Sequence, residues 1–330
     1  MRIAWGYTAT PDQPHGYSVI AKMLPEALND AGATWIAGWE FDWDVRVIIS
    51  QPVSWVAGRN SSEDVVWHTM YEAWPLVPGW AGVLNRVRAV WAPSQWVKWL
   101  FEDAGVTVPI GVCGYGVDHE AFYPVQRTTD GPMRFLAWAR GLVSRKNVLG
   151  AIRAFLAAEP IDAVLEVKLN LDDTLAPSGV TFDGVEEGRI TIIQEDWPRH
   201  KLADWLRSGD SLIYLSGGEG FGLMPLEAMA TGCSVICSYN TGMMDFLTED
   251  NAMLVHPTGR APAKGYTERF GYECWIEQPD FDQAVEWIRW ASENREAALA
   301  IGQRGQGAAS QWTWQRAGER AFAMLGGMIR

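Results

Sequence analysis

The chain has 330 residues, of which 48% are hydrophobic and 20% are charged, and its net charge is −13. This composition is that of a globular protein with room for two domains, and it excludes collagen, disordered chains and membrane-spanning helices. Because neither half is basic, a nucleic acid is disfavoured as partner.

The N-terminal segment and the cysteines indicate the expected compartment. Residues 1–5 run straight into an apolar strand without the features of a signal peptide, so a cytoplasmic location is expected. The cysteines form no C-x-x-C pair, and we expect packing thiols rather than disulfides or a zinc site. They are Cys113, Cys233, Cys237 and Cys274.

The chain is rich in tryptophan, with 19 of these residues, most of them in the first hundred positions. Burial in the core is the usual role of an indole ring. The alternative is that some of these rings line a groove and stack on sugars.

Short apolar runs alternate with helical patterns, which is typical of parallel α/β architecture. In the first half, strands are predicted at Ile3–Trp5, Val45–Ser50, Val65–Thr69, Ala89–Ala92 and Ile110–Cys113, and helices at Tyr17–Ala31 and Pro93–Ala104, the second capped by Ser94. In the second half, strands are predicted at Arg134–Ala139, Val164–Leu169, Ile190–Gln194, Ser211–Ser216 and Ser234–Ser238. Helices are predicted there at Val148–Ala158, Lys201–Ser208, Leu223–Ala230, Phe281–Ser292 and Trp312–Met328.

The predicted fold is therefore two Rossmann-like doubly wound α/β domains that face each other across a cleft. The polar, turn-rich stretch Phe122–Pro132 predicts a linker between them. We expect an N-terminal domain of residues 1–125, with residues 309–330 crossing back onto it, and a C-terminal domain of residues 132–305.

A glycine-rich loop follows the predicted strand Ser211–Ser216 and precedes a helix. Four glycines in the six residues 217–222 allow the backbone to approach a ligand closely, and the N–H groups that open a helix attract an anion. The loop therefore suits a diphosphate. It matches neither the ATPase P-loop nor the dinucleotide-binding G-x-G-x-x-G pattern.

Two carboxylates, Glu219 and Glu227, bracket this loop with seven residues between them. A carboxylate beside an anion site is expected to face hydroxyl groups, such as those of a sugar or a ribose. The alternative is a structural turn in which Glu219 is solvated and Glu227 caps the helix.

Two cations, Arg140 and Lys146, follow the end of a predicted strand and are six positions apart. They are placed to converge on a diphosphate opposite the glycine loop. The alternative interpretation is a pair of solvated charges at the start of a helix. The Asp42-Trp43-Asp44 pattern is interpreted as a surface turn rather than a manganese site, and Asp172-Asp173 as a loop pair; no metal site is expected.

Nearly the whole chain resembles the retaining glycosyltransferases of family four, which have the GT-B fold and a Glu-x7-Glu donor site. Several segments carry this resemblance in addition to the two glutamates. They are Arg140-Gly-Leu-Val-Ser-Arg145-Lys146-Asn147, Trp91-Ala-Pro-Ser94 through Val106, Gly114-Tyr-Gly116-Val-Asp118, Phe122-Tyr-Pro124, His68-Thr-Met-Tyr-Glu72, Pro78-Gly-Trp80 and Asn251-Ala-Met-Leu-Val-His-Pro257.

The resemblance implies roles for individual residues. Arg140 and Lys146 would hold the donor diphosphate, Glu219 would contact the sugar and Glu227 the ribose. The loop residues Gly220, Phe221, Gly222 and Leu223 would surround the diphosphate, and Gly16 would belong to a glycine loop on the acceptor side. For His68, at the end of a strand, a catalytic or acceptor-contacting role and a structural role stay open.

The sequence departs from the family pattern at several positions. Ala139 and Asn147 replace glycines around the cations, Thr241-Gly-Met-Met-Asp245 replaces Gly-Gly-x-x-Glu, and Ala252 replaces a glycine. The segment Thr258–Pro279 is interpreted as a longer insertion at the rim of the site.

The implied activity is transfer of a hexosyl group from a nucleoside diphosphate sugar to the hydroxyl of a glycan or other acceptor. The resemblance implies retention of configuration, and the residues suggest chemistry without a metal or another cofactor. Two alternatives remain: a non-catalytic subunit that binds glycans or nucleotide sugars, and a transferase that acts on modified DNA bases.

Overall fold

The computed structural model describes residues 1–7, 16–37, 44–52, 65–140, 143–170 and 188–328. Its contacts divide the chain into two compact units, of which the first is Met1–Asp118 with Trp312–Arg330 and the second is His119–Gln311. Among the described residues, no helix combines the length and the apolar character needed to cross a bilayer.

The strands and helices follow one another in the order expected for α/β units. The strands are β1 (Arg2–Tyr7), β2 (Thr34–Ala37), β3 (Val45–Ile49), β4 (Val65–His68), β5 (Ala89–Ala92), β6 (Ile110–Val112), β7 (Met133–Trp138), β8 (Ala163–Leu169), β9 (Ile190–Gln194), β10 (Ser211–Tyr214), β11 (Ser234–Ser238), β12 (Met253–Val255), β13 (Pro257–Pro262) and β14 (Trp275–Pro279). The helices are α1 (Gly16–Asp30), α2 (Trp80–Leu84), α3 (Gln95–Asp103), α4 (Val143–Lys146), α5 (Val148–Ala158), α6 (Arg199–Ser208), α7 (Leu223–Ala230), α8 (Lys264–Phe270), α9 (Phe281–Glu293), α10 (Arg295–Ala309) and α11 (Trp314–Met328).

The first unit has a parallel sheet in the order β2-β1-β3-β4-β5-β6. Ser94 caps helix α3 as predicted, because its side chain accepts a hydrogen bond from the Val97 N–H at 3.3 Å, and the helix begins at Gln95 instead of the predicted Pro93. Helix α11 packs on α1, and a methyl group at Gly318 would lie 2.3 Å from the Ala27 carbonyl oxygen. The close packing of these two helices explains why the C-terminal helix belongs to the first unit.

The second unit has a parallel sheet in the order β12-β11-β10-β7-β8-β9. This is the Rossmann strand order, and it reverses between the neighbouring strands β7 and β10. Ligands of such sheets bind outside the carboxyl ends of the strands at this switch point. Because the glycine loop follows β10 and the two candidate cations follow β7, the fold brings both segments to this point.

The predicted linker belongs to the second unit. Arg127 donates hydrogen bonds to the Arg207 carbonyl at 2.8 Å and the Gly232 carbonyl at 3.1 Å, and Phe122 is fully buried. The boundary between the units therefore follows Asp118 instead of residue 125, where the sequence analysis placed the end of the first domain.

The sequence located most of the main elements but missed several short or glycine-rich ones. Strands β5, β9 and β11 and helices α5 and α7 have the predicted bounds. Strand β2 is short, and α10 contains several glycines, which lower helix propensity. The predicted insertion folds as the antiparallel hairpin of β13 and β14 with helix α8 between its strands.

Candidate active site

The glycine loop is held in a conformation that only small residues allow. Gly222 directly precedes α7 with a φ of 103°, and a Cβ there would lie 2.6 Å from Cγ of Met243. Across the loop, a Cβ at Gly242 would lie 2.4 Å from the Gly220 carbonyl oxygen. These contacts fix the backbone at the start of α7, where the first N–H groups of a helix have no partner within the helix.

Glu219 is a buried acceptor rather than a solvated turn residue. The residue is 7% exposed, and its backbone N–H donates to Oγ1 of Thr241 at 2.8 Å. Oε1 accepts hydrogen bonds from the Ser216 hydroxyl at 2.7 Å and the Tyr214 hydroxyl at 2.8 Å. The alternative of a solvated Glu219 in a structural turn is therefore wrong.

Two cations of α4 contact the same carboxylate oxygen. Lys146 Nζ lies 2.6 Å from Oε1 of Glu219, and Arg145 Nη1 lies 3.0 Å from it. Lys146 also donates to the Tyr214 hydroxyl at 2.8 Å, and Arg145 donates to the Gly218 carbonyl. Helix α4 thus ties the segment after β7 to the loop after β10.

The electrostatics of Glu219 follow from this arrangement. Burial alone would raise the pKa of the Glu219 carboxyl, but the charges of Lys146 and Arg145 outweigh it and lower the pKa to about 2. Burial and the neighbouring carboxylate raise the pKa of Tyr214 well above its usual value. Glu219 is therefore ionised and Tyr214 is a neutral hydroxyl donor at pH 7.

Lys146 is a predicted site residue, whereas the role of Arg145 was not predicted. Arg140 follows β7 by two residues and is half-buried, and its proposed contact with a diphosphate stays a prediction. The Arg145-Lys146 pair was visible in the sequence, but only the short helix α4 shows that both side chains contact Glu219. Asn147 has a φ of 50°, a conformation that asparagine tolerates, which explains how it replaces a glycine there.

Glu227 lies inside α7 and is 1% exposed. Arg199, the first residue of α6, contacts both carboxylate oxygens of Glu227. Nη2 of Arg199 lies 2.6 Å from Oε1 of Glu227, and Nη1 lies 3.3 Å from Oε2. The Arg199 guanidinium also lies over the Phe122 ring, 4.7 Å from its centroid. Arg199 was not among the predicted site residues, because it is distant from Glu227 along the chain.

The segment that departs from the family's Gly-Gly pattern borders the loop. Thr241 has a φ of 48°, which is unusual for a β-branched residue and accounts for a glycine at this position in the family pattern. Its hydroxyl accepts the Glu219 N–H, and Asn240 Nδ2 donates to the Ser216 carbonyl at 3.0 Å. Asp245 is half-buried at the end of this 3₁₀ turn.

His68 lies in the first unit with a geometry that favours a structural role over the predicted catalytic one. The side chain is fully buried, and Nδ1 lies 2.9 Å from the Trp91 carbonyl oxygen, so Nδ1 donates. Nε2 lies 2.8 Å from the Tyr115 hydroxyl, which donates to it. Burial lowers the pKa of His68 to about 4, so the ring is neutral at pH 7.

The remaining residues singled out in the sequence lie at the start of α1, in the glycine loop, in the first unit or outside the described residues. Gly16 is the first residue of α1. Phe221 and Leu223 flank Gly222, and Phe221 is buried. Asp42, Trp43, Asp172 and Asp173 lie outside the described residues, whereas Asp44 accepts the Arg2 N–H at 2.7 Å.

The described tryptophans include buried and exposed side chains, and the alternative of a sugar-stacking groove stays a prediction. Trp67 and Trp91 are fully buried in the sheet of the first unit. Trp99 on α3 is 44% exposed and lies 6.3 Å from Trp96 between ring centroids. The four cysteines are buried free thiols, as predicted.

Comparison with known proteins gives a partial family match and a close likeness of fold. Residues 187–307 match the family model described as glycosyl transferases group 1. No curated protein sequence matches the chain.

Three solved structures illustrate the fold. Sucrose-phosphate synthase from Thermosynechococcus elongatus is similar with a TM-score of 0.74 and 15% identity over 99% of both chains. HepE of Anabaena in complex with UDP-glucose is similar with a TM-score of 0.72 and 15% identity, over 99% of this chain and 100% of HepE. A TarM mutant from S. aureus is similar with a TM-score of 0.63 and 12% identity, over 86% of this chain and 55% of TarM. The chain therefore has the GT-B glycosyltransferase fold, and the part that matches the group 1 family contains the glycine loop and both glutamates.

Proposed function

We propose that the chain is a glycosyltransferase that moves a hexosyl group from a nucleoside diphosphate sugar to an acceptor hydroxyl, with retention of configuration and without a metal. The observation that carries this proposal is the cluster of Glu219, Arg145 and Lys146 at the switch point of the second sheet, beside the start of α7. A cytoplasmic location, expected from the sequence, belongs to the same proposal.

The cations and the helix would stabilise the departing diphosphate. Cleavage of the glycosyl–phosphate bond leaves negative charge on the diphosphate, and fixed donors that face this charge lower the barrier. Arg145 and Lys146 are buried and held by the loop, so they are positioned before the donor binds. Arg140 and the N–H groups of residues 220–223 complete the proposed diphosphate site.

Glu219 would orient the sugar. All four of its described side-chain donors contact Oε1, which leaves Oε2 for a hydroxyl of the donor sugar. The low pKa keeps this carboxylate ionised, so it acts as an acceptor and not as a general acid. Glu227 would accept hydrogen bonds from the ribose.

A uridine nucleotide is the donor class that the comparisons favour. The HepE structure contains UDP-glucose, and the TarM structure contains UDP together with an α-GlcNAc-glycerol. We therefore propose a UDP-hexose as donor, and a glycan or another polyhydroxyl compound as acceptor.

The test is release of UDP from a panel of UDP-sugars, measured with and without an added mixture of glycan acceptors. We expect one donor to be consumed much faster than the others and the glycosylated product to keep the anomeric configuration, as read by NMR. Tight donor binding without turnover under any acceptor would instead favour a non-catalytic nucleotide-sugar-binding subunit.

A further inference from the structure

Arg199 is a residue of the second unit for which the catalytic proposal gives no role. Its side chain is 35% exposed, while the Glu227 carboxylate beneath it is 2% exposed. The two parallel contacts, of 2.6 and 3.3 Å, form the bidentate pair that arginine makes with a carboxylate. Arg199 therefore pairs with both oxygens of Glu227 and defines the plane of its carboxyl group.

The guanidinium is itself fixed from a second direction. It lies over the ring of Phe122, a fully buried residue of the segment that precedes β7. A planar guanidinium that stacks on an aromatic ring and pairs with a carboxylate loses few further degrees of freedom when a ligand binds. Lysine has a single ammonium group and would not fix the carboxyl plane in the same way.

Each carboxylate oxygen can accept more than one hydrogen bond. The pair with Arg199 uses one position on each oxygen of Glu227 and orients the others. A ribose presents two neighbouring hydroxyl groups, and their recognition requires two acceptors with a defined orientation. The buried carboxylate held by Arg199 has this property.

We propose that Arg199 is a positioning residue for ribose recognition: it orients Glu227 so that its carboxylate accepts from the ribose hydroxyls of the nucleotide. This inference rests on the proposed function, in which Glu227 contacts the ribose. It adds that selectivity for a ribonucleotide over a deoxyribonucleotide depends on Arg199.

The test compares the affinities of UDP, 2′-deoxy-UDP and 3′-deoxy-UDP for the full chain by isothermal titration calorimetry. The wild type is expected to bind UDP roughly tenfold more tightly than at least one deoxy analogue, as for loss of a hydrogen bond to a charged group. Arg199→Ala is expected to weaken the binding of UDP roughly tenfold and the binding of that analogue much less. The ratio of the two affinities should therefore approach one. Arg199→Lys is expected to restore only part of the ratio.

The control is Arg134→Ala, which removes the arginine of another Arg–Glu pair in the same unit, formed with Glu166. Thermal unfolding of both variants shows whether each is folded, and the control is expected to keep the wild-type ratio. The inference is overturned if Arg199→Ala keeps the wild-type ratio of UDP affinity to deoxy-UDP affinity. It is also overturned if this variant binds UDP more tightly than the wild type, or if the wild type binds UDP and both deoxy analogues equally well. Turnover of a UDP-sugar by the wild type separates these results from failure of the proposed function, since turnover without ribose discrimination contradicts only the role of Arg199.

Discussion

At the scale of single residues, the central feature is one carboxylate oxygen with four donors. Oε1 of Glu219 accepts from two hydroxyls and two cations, of which Lys146 and Arg145 supply the charge. Removal of Glu219 would leave two buried cations without this partner, which is more destabilising than loss of an exposed ion pair. The residue therefore contributes to stability as well as to the proposed chemistry.

The first prediction concerns how stability depends on pH. The pKa of Glu219 is lowered from 4.5 to about 2, so its contribution is fully present above pH 4.5 and is lost as the pH falls towards 2. This difference corresponds to about 3 kcal/mol. Urea unfolding of wild type and Glu219→Gln should show a large difference in the free energy of unfolding at pH 6 that narrows below pH 4.5. A difference that does not change with pH would contradict the assigned charge state.

Contacts between residues that are far apart in the sequence could not be predicted at this scale. The Glu219 and Glu227 spacing and Lys146 were visible in the sequence, and the structure brings Lys146 to Glu219. The contacts of Arg199 with Glu227 and of Thr241 with Glu219 were not predicted, because only the tertiary fold brings these residues together. For His68, a strand-end position did not show that both ring nitrogens have protein partners.

At the scale of elements, the glycine loop and α7 were predicted well because their signals are local. An apolar strand, a glycine-rich loop and a helix that ends before Gly232 follow one another without interruption. The hairpin of β13 and β14 was not predicted, since β13 is mostly exposed, β14 is mostly half-buried and neither strand has an alternating apolar pattern. Its strand β14 nevertheless supports the loop, because the Glu277 N–H donates to the Gly217 carbonyl at 2.8 Å.

The second prediction tests the conformation of the loop. Gly222→Ala places a methyl group near Met243 at a φ of 103°, and we expect the free energy of unfolding to fall by about 2 kcal/mol. The matched control is Gly307→Ala within α10, where a methyl group meets no atom within 4 Å and alanine favours the helix. Denaturant unfolding should show a less stable first variant and a control that is as stable as the wild type or more so. Equal stability of all three proteins would mean that the loop is not constrained as described.

At the scale of the whole molecule, the strand order of the second sheet decides where the chemistry lies. The reversal between β7 and β10 brings Lys146 and Glu219 together although they are far apart in sequence. The fold could be predicted from the alternation of strands and helices, whereas the boundary between the units could not. Arg127 attaches the predicted linker to the second unit through backbone carbonyls, a contact without a sequence pattern.

The third prediction concerns metal ions. Since Arg145, Lys146 and the start of α7 are proposed to stabilise the leaving diphosphate, turnover should persist in excess EDTA. The measurement is the initial rate of UDP release with and without the chelator, and with manganese added back. Loss of activity with EDTA and rescue by manganese would contradict this mechanism.

The most direct measurement of the central claim compares turnover of the best UDP-sugar by wild type, Lys146→Ala and Arg304→Ala. Arg304 pairs with Asp250 at the surface of the second unit, and its removal controls for loss of a cation outside the site. We expect kcat/KM to fall by roughly 10² or more in Lys146→Ala, as for loss of one preorganised electrostatic donor, and to stay near the wild-type value in Arg304→Ala. Unchanged turnover in a folded Lys146→Ala variant would contradict the proposal that this cluster is the active site.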